Sequence, residues 1–403
     1  MSHLPAALAR LDLPELNQHI GLSVREAERE LENGPGPDRL LDATYANTHR
    51  FPPPEWAVET FVAAATGAGM TYTPYRGDTS VRELVSRNIR EVLGLPSGDG
   101  VEPILTPGTQ GALFVALASV LEPGDLVLLP DPDYLSTERM IRYLGAEVVR
   151  IPMVFSDGED RPVLDPQALA EAAARGPRLM VFSHPNNPTG AVYQDSTLLQ
   201  IAELAVEHDF WVLADQLYCR LVYDGRTFTH LANLPGMAER TITLLGPSKT
   251  ESLSGYRLGV GLAPSSMVAR MEDVQSCTAL RAPSYAQHLL ARWLADDQDY
   301  LRLRVVEYQA LRDTTVERIN ASGVMRVRPS GGSSYVFPEL LVDVSDREIS
   351  LRLKRDAGVV VNPGYQFGLR GLRHLRLCFA QDEQEWSAAL DRVLDVVARY
   401  PLR

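Results

Sequence analysis

The chain has 403 residues, is 45% hydrophobic and 23% charged, and carries a formal net charge of −13 at pH 7, with a pI near 5.2. That length can bury a large core and suffices for one large domain plus a smaller one. The acidic balance argues against a nucleic-acid or anionic-membrane surface, since each needs a clustered positive field, and a small molecule is the expected partner.

The N-terminus, MSHLPAALARLDLPELNQHI, lacks a basic segment followed by an apolar core, and no uninterrupted apolar stretch reaches spanning length. From about residue 80 helix-like and strand-like segments alternate, the signature of an α/β fold with a mainly parallel sheet. VRELVSRNIREVLG has helical amphipathic spacing, GALFVALASVL reads as an apolar helix and DLVLLP as a short buried strand. The alternation continues through STERMIRYLG, EVVRIP, LMVFS, LLQIAELAVEHD, FWVLAD, TITLLG and LGVGLAP, each apolar run bounded by Gly, Pro, Asn or Asp. After residue 290 long charged helices precede VMRVRP, SYVFPEL, GVVVNP and LRHLRLCFA, and EQEWSAALDRVLDVVARY reads as a last helix, which together suggest an α+β unit. The expected organisation is an N-terminal segment, 1–55, that contributes to the small domain and a substrate loop, a large domain over 56–295, and a C-terminal small domain over 296–403.

Cys219, Cys277 and Cys378 lie far apart without CxxC or metal-ligand spacing. Neither a disulfide framework nor a metal site is expected, and a reduced cytoplasm fits. Arginine carries nearly all the basic charge: Lys249 and Lys354 are the two lysines among 39 basic residues. A lysine kept where arginine is the habit is a candidate for chemistry that needs an amine. Lys354, in LRLKRDAG, reads as an exposed helix end.

In open α/β sheets ligands bind beyond the carboxyl ends of strands, so the turns there are the places to search. In LTPGTQGALF a turn at Gly108, Thr109 and Gln110 opens an apolar helix, whose N-terminal N–H groups suit a phosphate; the plain alternative is a turn. SHPNNPTGAVY follows LMVFS and places amide side chains at a strand end, or only fixes a rigid turn. After FWVLA come Asp215 and Tyr218, a carboxylate and a phenol able to face one pocket, although an aspartate there is often a helix cap. In TLLGPSKTESLSGYRLG, Lys249 follows a strand and Arg257 lies eight positions later. A lysine amine can form an imine with an aldehyde, and arginine can clamp a phosphate.

Taken in order, PNNPTG, DxxY and SK followed by GYRxG resemble the fold-type-I, pyridoxal 5′-phosphate (PLP) dependent enzymes of aminotransferase class I/II, over roughly residues 60 to 385. The resemblance implies a large domain with a mainly parallel central sheet flanked by helices, and a smaller α+β domain built from the N- and C-terminal segments. It implies that Lys249 holds PLP as a Schiff base, that Asp215 pairs with the pyridine nitrogen, and that Tyr218 and Asn187 hydrogen-bond the phenolic oxygen. Arg257 and the Gly108–Thr109–Gln110 turn would hold the phosphate, with Ser248 beside the lysine, and Tyr134 would stack on the ring. Tyr72, in MTYTPYRGD, would reach the phosphate of a neighbouring subunit in a homodimer, and Arg376 would bind the substrate α-carboxylate.

The chain departs from the family pattern in four places. Gly246 stands three before the lysine, where many relatives carry a hydroxyl, and His184 replaces a common asparagine. TYANTHRFPPPEW replaces the usual N-terminal substrate loop and makes Asn47 a candidate substrate contact near Thr48 and His49. SCTALRAPSYAQ carries Arg281, which either reads a distal anion or lies on the surface. The expected reaction is amino transfer between an L-amino acid and a 2-oxo acid. The alternative is elimination, replacement, cyclisation or oxidation from the same chemistry, because groups around the cofactor set the outcome. A DNA-linked ligand sensor on this fold is opposed by the acidic charge and by the lack of a further domain before residue 60.

Overall fold

The computed structural model describes residues 6–10, 40–155 and 162–403. A short strand β1 (Leu41–Asp42) precedes the helix Trp56–Thr66 and the helix Thr79–Asn88, which Asp78 caps by accepting the Val81 N–H at 3.1 Å. The central sheet is built from β2 (Val101–Pro107), β3 (Leu126–Asp131), β4 (Glu147–Phe155), β5 (Pro162–Leu164), β6 (Leu179–Ser183), β7 (Trp211–Asp215), β8 (Thr241–Leu245) and β9 (Leu258–Pro264).

The strands lie in the order β2-β9-β8-β7-β6-β3-β4-β5. β4, β3, β6, β7 and β8 run parallel; β9 lies antiparallel between β8 and β2, and β5 pairs antiparallel with β4. The chain winds outward from β3 in one direction and from β6 in the other. The order therefore reverses between these two neighbours, and a crevice forms at their carboxyl ends.

Both faces of the sheet are covered, as alternate residues show. Val127, Leu129, Leu179, Val181 and Leu213 pack with the helix Thr109–Val120 and with Met267, Val268 and Met271. Leu128, Met180, Phe182, Val212 and Ala214 pack on the other side with Leu169 and with Leu198, Ile201 and Ala205. Burial on two faces is why these strands read as unbroken apolar runs. β2 escaped that reading because Pro103 and Pro107 interrupt it; the structure places it at the sheet edge, where strands tolerate proline.

The remaining chain forms a second unit. The helix Gln298–Ala321 leads to β10 (Met325–Arg326), β11 (Tyr335–Val336), β12 (Glu339–Leu340), the helix Asp346–Arg352, β13 (Val359–Val360), β14 (Asn362–Pro363), β15 (Leu375–Cys378) and the helix Glu383–Val397. β1 pairs parallel with β13, and Ala43 and Phe51 share a core with Val359, Leu377, Phe379 and Trp386, so the described N-terminal stretch joins this unit. Lys354 departs from expectation: it sits at a helix end but is 5% exposed. A long aliphatic stem makes such burial tolerable once the amine has a partner. Among the described residues no helix is long and apolar enough to cross a membrane, and all three cysteines are free.

Candidate active site

Five carboxyl-end turns and the start of β9 converge on one cavity of about 280 Å³. Its lining includes Thr109 and Gln110 after β2, Tyr134 after β3, Asn187 after β6, Asp215 and Tyr218 at the end of β7, Ser248 and Lys249 after β8, and Arg257 before β9. Arg376 reaches it from β15 in the second unit. Residues more than 250 positions apart thus meet at the crevice that the strand order creates.

One end of the cavity is built for an anion. Gly108, at φ 81°, precedes the 12-residue helix Thr109–Val120 and has no side chain to cap its first N–H groups. The Arg257 guanidinium lies so near that a Cβ on Gly108 would collide with it, and Nη1 of Arg257 donates to the Ser254 carbonyl at 2.8 Å. A Cβ on Gly259 would strike the Gly108 carbonyl and the Thr109 nitrogen. Gly246 is explained in the same way: a Cβ there would lie 3.0 Å from the Thr109 hydroxyl, so Thr109 occupies space that a larger residue would need.

The middle of the cavity holds the charges. Asp215 accepts one backbone hydrogen bond, from Leu217 at 3.2 Å, and lines the cavity. Burial pushes its carboxyl up to about 6, against the opposing pull of the Leu217 N–H and of Lys249. Such a group favours a cationic partner. The turn beside it is braced from below: buried Asp133 accepts from the Ser183 N–H (3.1 Å), the Ser183 hydroxyl (2.9 Å) and Asn186 Nδ2 (3.1 Å). Burial raises Asp133 to about 7 despite these bonds. Asn186 is thereby used inside the turn, whereas Asn187 faces the cavity and accepts from Arg376 Nη1 at 2.9 Å. Tyr134 donates to Gln110 Oε1 at 3.0 Å, which ties the aromatic to the anion-binding turn.

Arg376 is held on several sides. Its Nη2 donates to the Thr44 carbonyl (2.9 Å) and to Asn362 Oδ1 (2.5 Å), and its Cζ lies 4.1 Å from the Tyr335 ring centre and 4.9 Å from that of Phe367. Behind the cavity Arg220 bridges two fully buried carboxyls, contacting Glu251 at 2.7 Å and Asp297 at 2.7 Å and 3.0 Å. This network ties the Tyr218 turn, the Lys249 turn and the start of the helix Gln298–Ala321 together.

Three expected residues stand elsewhere. Asn47 uses its Oδ1 to accept the His49 and Arg50 N–H groups (3.0 and 3.1 Å) and lines a separate cleft with Asp42, Thr48 and His49. Thr44 and Tyr45, from the same loop, line the cavity instead. Tyr72 is 83% exposed, and Arg281 lies over it, 4.2 Å from the ring centre, and over Tyr75 at 5.1 Å. Neither lines the cavity of its own chain. Conversely Ser183, Leu217, Ser254 and Tyr335 line the cavity without having been singled out. Ser183 and Ser254 were reachable from sequence, as the last residue of an apolar run and the residue three before Arg257; Tyr335 and Asn362 carried no local signal.

The arrangement fits PLP. A helix N-terminus with an arginine suits its phosphate, the buried Asp215 carboxyl suits a protonated ring nitrogen, and the Lys249 amine on the same cavity suits an imine with its aldehyde. Comparisons with known proteins agree. Residues 42–393 match the family model described as aminotransferase class I and II. The aromatic-amino-acid aminotransferase 2 of Thermococcus litoralis is 32% identical over 351 residues, covering 86% of this chain and 89% of the relative. The aspartate/prephenate aminotransferase of Thermus thermophilus is 32% identical over 364 residues, covering 89% and 91%. Among solved structures, an aspartate aminotransferase from Rhodobacter sphaeroides superimposes with a TM-score of 0.87 at 36% identity, covering 94% of this chain and all of that one. The chain belongs to the class I and II aminotransferases, a family of PLP-dependent transferases.

Proposed function

We propose that the protein transfers an amino group between an L-amino acid and a 2-oxo acid, in the cytoplasm and as a homodimer. The observation that carries this reading is the convergence of Lys249, Asp215, Tyr218, Asn187 and Arg376 on one cavity whose far end is an anion cradle. PLP, when bound, supplies an electron sink for the pair left as a bond to Cα breaks. Asp215 keeps a proton on the ring nitrogen. Thr109, Gln110, Ser248 and Arg257 hold the phosphate together with the Gly108 backbone. Tyr134 covers the ring, and Tyr218 and Asn187 bind the phenolic oxygen. Arg376, fixed by Asn187, Asn362 and the Thr44 carbonyl, would bind and orient the substrate carboxylate. Lys249 Nζ would hold the cofactor and, once freed by the substrate amine, would carry the proton taken from Cα.

Tyr72 and Arg281 are assigned to the site of a second copy. Tyr72 is exposed, and so are Val58, Val62 and Met70 in the segment before it, apolar side chains that a partner subunit would cover. Free thiols suit the reducing cytoplasm.

The test is a single-turnover experiment. Amino acids are added to holoenzyme and the visible absorbance is followed: the pyridoxamine form should appear and a 2-oxo acid should reverse it. An amino acid that is consumed with no pyridoxamine form and no reversal would replace amino transfer by elimination, replacement, cyclisation or oxidation. Lys249→Ala should yield no borohydride-reducible adduct with PLP.

A further inference from the structure

Tyr335 stands where the two units of the chain meet. Strand register sets Tyr335 opposite Cys378 and Asn362 opposite Arg376, and Arg376 and Cys378 are two residues apart on β15. Tyr335, Arg376 and Asn362 therefore project from one face of the three-stranded sheet. The Tyr335 phenol is 3% exposed, and what it does expose belongs to the cavity. Its hydroxyl accepts from the Tyr218 hydroxyl at 3.2 Å, and the two rings meet edge to face with centres 5.9 Å apart. Its ring face carries the Arg376 guanidinium at 4.1 Å. A phenylalanine would fill the same space and offer the same face to Arg376, so the hydroxyl calls for its own account.

We propose that Tyr335 is a positioning residue with two separable tasks: its hydroxyl supports the Tyr218 phenol, and its ring face aims Arg376. The proposal rests on the cofactor reading given above. Two phenols at this distance share one hydrogen bond, and hydroxyl protons rotate to suit their partners. Here Tyr218 donates to Tyr335; once the cofactor's phenolic oxygen accepts the Tyr218 hydrogen bond, the shared bond reverses, Tyr335 becomes the donor, and accepting that bond makes Tyr218 the stronger donor to the cofactor. A stronger bond draws electron density from that oxygen and should lower the pH at which the bound cofactor's visible absorbance changes. Loss of the Tyr335 hydroxyl should raise it. Loss of the ring should free Arg376 from one of its two aromatic neighbours.

The charged groups packed around the pair limit what else can titrate there. Arg376 faces both phenols, Cys378 lies beside Tyr218, and Asp215 and Lys249 line the same cavity. Burial holds the Tyr218 phenol well above its ordinary range and raises the Cys378 thiol, so neither ionises near neutrality.

The experiment compares holoenzymes of the wild type, Tyr335→Phe, Tyr335→Leu, Tyr218→Phe and the double variant Tyr218→Phe/Tyr335→Phe. Two quantities are read: the pH midpoint of the cofactor's visible absorbance, and KM for an accepted amino acid. Tyr335→Phe should raise the midpoint by about half a unit while leaving KM within about twofold. Tyr335→Leu should give the same midpoint change with KM raised roughly tenfold. The double variant should titrate as Tyr218→Phe alone, because the hydroxyl acts through Tyr218. An unchanged midpoint in Tyr335→Phe, an additive change in the double variant, or equal KM values in the Phe and Leu variants would overturn the proposal. A wild-type protein whose cofactor absorbance does not depend on Lys249 would instead overturn the cofactor reading beneath it.

Discussion

Replacing Asp215 by asparagine should stabilise the cofactor-free chain at alkaline pH while disabling the holoenzyme. The carboxyl is pushed from an ordinary 3.8 up to about 6, chiefly by burial, with one backbone N–H and Lys249 as opposing influences. A carboxyl raised in the folded state binds its proton more tightly there than in the unfolded chain. Its contribution to stability is complete below pH 3.8 and is lost as pH rises through 6. A rise of about two units corresponds to at most about 3 kcal/mol, reduced by solvent in the open cavity. Asparagine has no such dependence. Urea unfolding of the two cofactor-free proteins should therefore agree in stability trend near pH 4 and diverge by about 1–3 kcal/mol in favour of the variant by pH 8. With PLP bound as proposed the sign should reverse, because the carboxylate would then face a ring cation. Losing one partner of such a buried pair costs about 2–5 kcal/mol, or roughly 30- to several-thousand-fold in kcat/KM. A stability difference that stays flat from pH 4 to 8 would refute the reasoning.

Gly108→Ala should weaken PLP binding by roughly ten- to a hundredfold in an absorbance titration, since φ 81° is strained for alanine and its Cβ would displace the Arg257 guanidinium. Arg376→Lys should leave the holoenzyme spectrum unchanged and raise KM by about a hundredfold, because an ammonium cannot match the planar fork that Asn187, Asn362 and the Thr44 carbonyl orient. Arg220→Met should destabilise the fold by about 3–5 kcal/mol in urea unfolding, as it leaves the buried carboxyls of Glu251 and Asp297 facing each other. Glu251→Gln should cost far less, since burial and Asp297 already raise Glu251 toward its neutral form.

The sequence was most informative where strand, turn and chemistry are contiguous. β3, β6, β7 and β8 are legible as apolar runs because both sheet faces are covered, and Asn187, Asp215, Tyr218 and Lys249 follow such runs within a few residues. β2 was hidden by Pro103 and Pro107, whose cost depends on a place at the sheet edge that composition does not reveal. Asn47 was chosen from the right loop, but the loop turns its amide inward to bond the His49 and Arg50 N–H groups and sends Thr44 and Tyr45 to the cavity. A turn's direction depends on dihedral angles that residue types only bias.

By itself the sequence determined the α/β class and the cofactor, and it singled out Lys249 as the proposed anchor, because PNNPTG, DxxY and SK…GYRxG each occupy one strand end and are read without the rest of the fold. Tertiary structure alone decided how the second unit completes the cavity. Arg376 is held in the orientation that its proposed role as carboxylate clamp needs only when β14 supplies Asn362, β11 supplies Tyr335, and the loop after β1 supplies the Thr44 carbonyl. These groups come from segments separated by up to 332 positions, and their spacing is set by strand register and packing rather than by any local pattern.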